Sequence, residues 1–501
     1  MDRRSFLKSA AMAGAAAGAM SMLGPDFALG ENASGKKYNV LFIPVDDLRP
    51  QLGCYGHKQM KSPNIDALAG RGVLFKKTYC QVPVCGASRA SLLTGLRPNE
   101  SRFNDWASWA EKDAPGVVTL AKWFKQNGYH TVGNGKVFHN SPDCKDGWSE
   151  EHYSPTIGWP GYRKPESTAM VASERKKGKP MCFGMPYEAD DCKDNEYPDG
   201  QIADKTIADL RRLAKSDKPF FIACGLTKPH LPFLAPKKYW DMYEADKLVL
   251  ADNPNLPKNA PGPLTTYQWK ELRGQYAGTP KRGPVSADLN RKLVHGYYAC
   301  VSYIDSLVGQ IIAELDKLGL RDNTIVILWG DHGWFLGEHG FWCKQVCMDL
   351  GYHAPMMISG PGIKPGVTEG LTEFVDMYPS LCDLAGIPQP PHLEGLSFAP
   401  LLQDPKRPWK KAIFSRYPSP DGDGVCDGRF VYTRYTFHGR QEGHMLYDHE
   451  NDPKENVNVV ADPKYADVVK RLQPLVTGGA KWWKVLPDGI EPPPAAKKLM
   501  G

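Results

Sequence analysis

The chain has 501 residues, a formal net charge of +6, and 42% hydrophobic and 24% charged residues. That is ordinary globular composition with room for a large core. The positive charge is too mild and dispersed to imply nucleic acid, and 49 Gly with 43 Pro indicate many loops, not low complexity.

The first segment, "MDRRSFLKSAAMAGAAAGAMSML", carries Arg3-Arg4, then Phe6-Leu7-Lys8, then an Ala-rich stretch to Leu23. It resembles a twin-arginine export signal. Its apolar part is too short to span a bilayer, and no later stretch is apolar enough to do so. The expectation is a signal over residues 1–30, the twin-arginine export machinery as a partner, and a periplasmic or secreted product. A catalytic domain over 31–404, a C-terminal α+β subdomain over 405–485 and a flexible tail over 486–501 complete the expected layout.

"KKYNVLFIPVDDL" reads as a buried strand over Tyr38–Val45 that ends in Asp46-Asp47. "SPNIDALAGRG" reads as a helix with Ser62 near its cap and Gly70 or Gly72 closing it. "VVTLAKWFKQNGYHTVGNGK" gives a helix, a Gly-containing turn and a strand, and "ADKTIADLRRLAKSDKPFFIACGLTKPH" repeats the pattern. His295 to Leu318 has helical periodicity, with Tyr298, Val301, Ile304, Val308 and Ile312 on one face. "NTIVILWGDHG" and "APMMISGPG" are further strands, and "FVDMYPSLCDLAGI" is helical. Strands alternating with helices predict an α/β fold: a mostly parallel central sheet with helices on both faces. From Lys410 the pattern changes to short strands, "AIFSRY", "GRFVYTRYTFHGR" and "HMLYDHENDPKENVNV". These predict a smaller C-terminal antiparallel sheet, followed by a helix over Tyr465–Thr477. The stretches Asn140–Gly200 and Ala251–Pro284 lack periodicity and read as binding loops or lids.

Polar groups recur where strands end: Asp46-Asp47, Lys136 with His139, Lys228 with His230, and Asp331-His332. Open α/β sheets bind ligands beyond the carboxyl ends of their strands, so four strand ends can supply one pocket. The twelve cysteines show no CxxC pair and no zinc-like spacing. Cys224 and Cys300 sit in apolar contexts and read as buried small hydrophobes. Cys182 and Cys192 flank a polar loop and are read as a disulfide.

Cys85 is different. It stands just before Ser88-Arg89, where "CGASRASLLTG" looks like the first turns of a helix. A helix N-terminus offers free amides and partial positive charge, and Arg89 adds a planar fork of donors for an oxyanion. Only three residues separate Cys85 from Arg89, so the five-residue spacing of cysteine phosphatases does not fit. A bare thiolate beside paired Asp and an anionic ligand is electrostatically awkward.

"CGASRASLLTG" resembles the sulfatase signature, in which the cysteine is oxidised to formylglycine. "PVDDLRPQLGCYG", "SPNIDALA", "GKVFH", "KPHLPF", "GDHGWFLGEHG" and "MLYDHENDPKE" resemble further blocks of that family, in order. "DDLRPQLGCYG" and "DHGWFLGEHGFW" are most similar to its iduronate-2-sulfatase branch. Two positions depart from the common pattern. Ala87 stands where many members carry Pro, which favours an iron–sulfur radical maturase over the oxygen-dependent one. His332 follows Asp331 where many members carry Asn; the iduronate-type branch is similar to this chain in having His there.

The resemblance implies an alkaline-phosphatase-like fold and a sulfuric ester hydrolase. In such an enzyme a formylglycine gem-diol at position 85 attacks sulfur to give a covalent sulfo-enzyme, and the second hydroxyl then expels sulfate. It assigns Asp46, Asp47, Asp331 and His332, with the residue-85 oxygen, to a divalent cation: Ca²⁺, with Mg²⁺ or Mn²⁺ open. It makes Asp331 the base for the attacking hydroxyl, Arg89 and Lys136 stabilisers of charge, and His139 the base for elimination. His230, with Lys344, would protonate the leaving oxygen and clamp the sulfate. The implied partners are a sulfated oligosaccharide or polysaccharide and a maturase acting on Cys85. The substrate is expected to be uronic-acid-containing or an algal glycan fragment. Trp334, Glu338, His339 and Trp342 line a sugar subsite or pack a loop. A phosphonate or phosphodiester hydrolase of the same superfamily, and a non-catalytic glycan-binding protein, are the competing readings.

Overall fold

The computed structural model describes residues 37–178, 184–265, 270–418, 421–437 and 440–500. The export signal over residues 1–30 and Cys182 of the expected disulfide lie outside these residues. The central sheet is built from β1 (Asn39–Val45), β2 (Val73–Phe75), β3 (His130–Gly135), β4 (Phe220–Gly225), β5 (Thr324–Gly330), β6 (Met356–Ser359) and β7 (Gly366–Thr368). Their order across the sheet is β7-β2-β6-β5-β1-β4-β3. β1 pairs in parallel with β4 and β5, and β3 pairs in parallel with β4. Only β6 reverses, running antiparallel to both β5 and β2, while β7 is parallel to β2.

Alternation along β1 divides the core. Leu41, Ile43 and Val45 pack into one layer, whereas Val40 and Phe42 pack into the opposite one. The helices that cover the sheet are α1 (Cys85–Thr94), α2 (Leu120–Gln126), α3 (Pro198–Leu213), α4 (Ala287–Lys317) and α5 (Met377–Leu384). α3 and α4 supply one face through Ile202, Leu210, Tyr297, Val301 and Ile304. α1, α2 and α5 supply the other through Leu92, Phe124 and Leu381. The predicted face of α4 is buried as expected, but the helix starts earlier, at Ala287, where the Ser286 side chain accepts a hydrogen bond from the Leu289 amide. Its first two turns carry Asp288, Asn290, Arg291 and Lys292 with only Leu289 and Leu293 on the buried side, a sparse pattern that hid them. No helix among the described residues is long and apolar enough to cross a membrane.

The C-terminal part is a four-stranded antiparallel sheet: β8 (Ile413–Pro418), β9 (Asp421–Cys426), β10 (Phe430–Phe437) and β11 (Arg440–Asp448). α6 (Ala466–Val476) covers one face, placing Leu472 and Val476 against Phe414, Val425, Tyr432 and Leu446. β9, "DGDGVC", is not among the expected strands, since it is mostly Asp and Gly. Pairing on both of its edges overrides that composition. Pro494–Met500 forms a helix, α7, with Ala496 buried in the C-terminal core. Pro494 opens it at a position where the missing amide costs nothing, and Ala, Lys and Leu are good helix formers. The stretch 140–200 likewise contains a regular helix, Pro165–Lys176, which its polar composition concealed.

The small sheet leans on the loops that border the strand ends. Arg416 donates its amide to the Gln81 carbonyl at 2.8 Å, and the Thr433 hydroxyl donates to the Cys347 carbonyl at 3.0 Å. Glu455 accepts from the Asp349 amide and also pairs with His449 at 3.0 Å. Burial pushes the His449 imidazole down, but the Glu455 carboxylate outweighs it and holds the ring at about 9. A folded-state value raised above the ordinary histidine value stabilises fully below about pH 6.5 and is lost as pH rises through about 9. Denaturant unfolding followed between pH 6 and 10 is therefore expected to show stability falling across that window. The fall should be shallower in His449→Gln, and an identical slope in the variant would contradict the assignment.

Candidate active site

Four strand ends converge at the carboxyl edge of the sheet. β1 and β5 are in register from Asn39↔Thr324 to Val45↔Gly330, so Asp46-Asp47 and Asp331-His332 leave the sheet side by side. The Asp46 amide donates to Leu226 after β4, and the Asp331 amide to Val45. β3 and β4 end in register at Gly135↔Gly225. A Cβ on Gly225 would stand 2.2 Å from the Lys136 carbonyl, so glycine is required for β3 to deliver Lys136 here.

Successive side chains of a strand point to opposite faces, yet Asp46 and Asp47 serve one cluster. Asp47 has left the strand, with φ of 59°, a left-handed conformation that Asp tolerates better than most residues. Its amide donates to Asp331 Oδ1 at 2.9 Å, and its carbonyl accepts from the Tyr297 hydroxyl at 2.9 Å. Lys344 is set in a similar way, between Cys343 and Gln345 at φ of 70° and 77°. Gln345 ties that strap to the Pro83 carbonyl at 3.0 Å, two residues before Cys85.

Cys85 is the first residue of α1, a helix buried along its whole length, whose N-cap residue, Val84, makes no side-chain cap. Its Sγ lies 3.3 Å from His332 Nε2 and 3.7 Å from Asp47 Oδ1. One turn on, Arg89 reaches across the cluster. Its Nε donates to Asp331 Oδ2 at 2.9 Å and its guanidinium to Asp46 Oδ1 at 3.2 Å and the Val137 carbonyl at 3.0 Å. Lys136 Nζ donates to Asp46 Oδ2, and Lys344 Nζ sits 2.9 and 3.0 Å from the two Asp47 oxygens. The Ser88 hydroxyl donates to the Asp331 carbonyl.

The electrostatics follow from burial and these pairs. Burial alone would raise Asp46 and Asp47, but Lys136 and Lys344, with His230, hold both carboxyls well below the usual range. Burial raises Asp331, aided by Asp46 and opposed by His332 and Arg89. Burial also pushes the Cys85 thiol up to about 11, so the unmodified side chain stays protonated and is a poor nucleophile. Burial and the neighbouring Lys136 drop His139 to about 3, which keeps it neutral. Its Nδ1 is buried with no hydrogen-bond partner among the described residues. His230 is lowered by burial, and its Nδ1 contacts the Leu231 carbonyl, so Nε2 faces Asp47 and Glu271 at 3.9 and 3.2 Å.

Every residue singled out for the site, Cys85, Asp46, Asp47, Arg89, Lys136, His139, His230, Asp331, His332 and Lys344, thus falls in one neighbourhood. Trp334 and Trp342 are fully buried and pack the interior, Lys344 lying over the Trp334 ring. Glu338 forms an ion pair with Arg49 at 2.9 Å, and His339 is buried beside Phe341. Two acids went unrecognised in the sequence. Glu271, from the aperiodic stretch 251–284, bridges Lys344 at 3.1 Å and His230 at 3.2 Å. Asp199, in the first turn of α3, accepts the Thr227 and Lys228 amides and so shapes the turn before His230. Neither belongs to a motif, and only the tertiary fold brings them in.

Carboxylates backed by buried cations at the carboxyl edge of a mixed α/β sheet define a hydrolytic site for an anionic ester. The family is equally clear: a profile described as Sulfatase matches residues 38–387, and one described as N-sulphoglucosamine sulphohydrolase, C-terminal, matches 337–479, and the chain belongs to the sulfatase family. It is 35% identical to the iduronate 2-sulfatase of Mus musculus over 407 residues, 73% of this chain and 72% of that one. It is 32% identical to the Homo sapiens enzyme, over 78% and 80% of the two chains, and 29% identical to an ulvan-active sulfatase of Formosa agariphila, over 87% and 80%. The fold matches that of a solved protein in complex with its substrate D-glucosamine-2-N,6-O-disulfate, with a TM-score of 0.69, 23% identity and coverage of 88% and 97%. It matches equally the phosphonate monoester hydrolase of Agrobacterium radiobacter, with a TM-score of 0.69, 24% identity and coverage of 88% and 95%. The enzyme class implied by the motifs, a sulfuric ester hydrolase, stands.

Arg89→Met would leave Asp46 and Asp331 buried beside a neutral side chain. The expected cost is about 3–5 kcal/mol in denaturant unfolding with chelator present. An unchanged unfolding midpoint would show that Arg89 does not neutralise the pair.

Proposed function

We propose that this sulfatase removes sulfate from a sulfated glycan, uronic-acid-containing or an algal polysaccharide fragment, with Cys85 acting after oxidation to formylglycine. The observation that carries the reading is the place of Cys85. It is the first residue of a buried helix, within 3.3 Å of His332 and 3.7 Å of Asp47, in a protonated state unsuited to direct attack. The names of the iduronate and ulvan relatives support the substrate class.

The donor set suits a hard divalent cation. Oxygen and nitrogen atoms of Asp46, Asp331 and His332 lie with Cys85 within 4.8 Å of one another, and Asp47 joins Asp46 and Cys85 in an overlapping group. The His332 Nδ1 contact with the Gly333 carbonyl at 2.8 Å leaves Nε2 aimed into the cluster, the usual arrangement of a ligating imidazole. Asp46, Asp47, Asp331 and His332 would therefore hold the cation: Ca²⁺ by resemblance, Mg²⁺ or Mn²⁺ by the same donors. When bound, it neutralises sulfate charge and lowers the pKa of a hydroxyl at position 85. The oxidised side chain supplies a hydrated carbonyl as the nucleophile.

The chain's own groups do the rest. Arg89 is fixed by two carboxylates and two carbonyls, so it adds positive charge beside the nucleophile without having to reorganise. Lys136 and Lys344 stand at Asp46 and Asp47 and give the sulfate oxygens two cations. His139 keeps its Nδ1 unpaired among the described residues, the position from which it would accept a proton. His230 presents Nε2 toward the Asp47 side and, once the ring is protonated beside Asp47 and Glu271, can deliver that proton to the leaving oxygen. Export and maturation by host enzymes belong to the same proposal.

Peptide mass across residues 85–89 of active protein should fall by about 18 daltons, the thiol-to-carbonyl difference at a covalent-catalysis residue. A fully active protein with an intact thiol mass would end the formylglycine reading. His230→Ala should slow alkyl sulfates by about 10²–10⁴-fold and aryl sulfates much less, because a phenol needs little help to leave. Equal losses on both classes would remove His230 from the acid role, and turnover of aryl phosphonate in preference to aryl sulfate would favour a phosphonate hydrolase.

A further inference from the structure

Among the described residues, the exposed large apolar side chains include only two aromatic ones, Trp106 and Trp159. They are 52% and 47% exposed, whereas the tryptophans of the "DHGWFLGEHGFW" block are buried. Each stands against one of the two site histidines assigned to proton transfer. The Trp106 ring is edge-on to His139 at 6.2 Å between centroids, and the Trp159 ring is edge-on to His230 at 6.3 Å. The two come from different loops, one following α1 and one inside the stretch 140–200, so no local repeat explains the match.

Both loops are built to hold their rings in place. The Trp106 carbonyl lies so close to Gly86 that a Cβ there would come within 2.1 Å of it, which locks the loop to the residue next to Cys85. Asp105 accepts the Ala107 amide at 2.8 Å, and Asp143 accepts the Ala110 amide at 2.7 Å just beyond. The Trp159 loop is pinned by Thr156 to Gln201 at 3.0 Å and by Arg163 to Asp190 and Glu196 at 2.8 Å each. A large apolar face left in water on a fixed loop, at the mouth of a polar site, is a ligand-binding surface in waiting. Pyranose rings match it: one face is apolar C–H, and the hydroxyl edges remain free for polar groups.

We infer that Trp106 and Trp159 are the sugar-stacking walls of this site, with Trp159 against the ring that bears the leaving oxygen. This rests on the sulfated-glycan reading above. His230 is the group placed to protonate that oxygen, and Trp159 is its aromatic neighbour. Trp106, beside His139 and Gly86, meets a second ring of an oligosaccharide or the far edge of the first. The two indoles therefore set the preference for a glycan over a small sulfate ester, while the cations and carboxylates handle the sulfate itself.

The test uses the matured full-length enzyme with heparin-derived 2-O-sulfated disaccharide and ulvan oligosaccharides, alongside 4-nitrophenyl sulfate and inhibition by inorganic sulfate. Trp159→Ala and Trp106→Ala should each raise KM for the glycan that the wild type accepts by about 10-fold, the scale of one aromatic contact. The kcat and the inhibition constant of inorganic sulfate should stay within about 2-fold, since the sulfate-handling groups are untouched, and Trp159→Phe should recover most of the loss. An unchanged glycan KM overturns the inference while leaving the glycan reading intact. A fall in kcat or weaker sulfate inhibition in step with KM also overturns it, because the indoles would then merely hold the histidines. If the wild type cleaves 4-nitrophenyl sulfate but neither cleaves nor binds any of the glycans, the substrate reading fails and this inference with it.

Discussion

Three carboxylates, Asp46, Asp47 and Asp331, are fully buried within reach of one another. Negative charges so placed repel one another and lose their water, so they persist only where positive charge is built in around them. Arg89 and Lys136 neutralise Asp46, Lys344 neutralises Asp47, and Arg89 also serves Asp331. Much of the molecule can be read as the means of holding those cations. α1 is buried on every side to place Arg89, the Gly135–Gly225 junction delivers Lys136, and a strap with two left-handed residues delivers Lys344.

The same constraint shapes the chemistry. Asp46 and Asp47 stay ionised because their partners outweigh burial, whereas burial prevails at Asp331 and at the thiol of position 85, which stays protonated. Acids that are charged beside a cysteine that is not suit a centre in which a cation and a modified residue take over the reaction. The C-terminal sheet contributes from outside: it buttresses the strap around Cys347 and the loop at Asp349, and Lys410 binds Asp376 and Glu373 where Arg97 also lands. Charge neutralisation thus extends from the site into the joint between the two sheets.

Much of this was legible in the sequence, for identifiable reasons. A parallel strand buried on both faces is a continuous apolar run, so β1, β4 and β5 announce themselves, and the polar residues after them stand out. The residues singled out from the sequence lie at strand ends or in short motifs, which is why they stood out, and the fold gathers them into one neighbourhood. What escaped is what only three dimensions create. β9 is a strand by virtue of its neighbours, α7 by burial of one alanine, and the start of α4 by a serine cap. Glu271 and Asp199 reach the site from segments with no pattern of their own. Trp106 and Trp159 look like any loop tryptophans until their histidine neighbours are seen. The tryptophans that a sequence motif did single out proved to be interior packing.

The central claim is that the acid cluster, with its fixed retinue of cations, is the seat of one divalent ion opposite residue 85. Elemental analysis of purified, active protein tests it most directly. One divalent cation per chain, absent from an Asp47→Asn protein that folds but does not turn over sulfate esters, is the result this account requires. Full turnover by protein free of divalent metal, or an Asp47→Asn protein that retains both ion and activity, would contradict it.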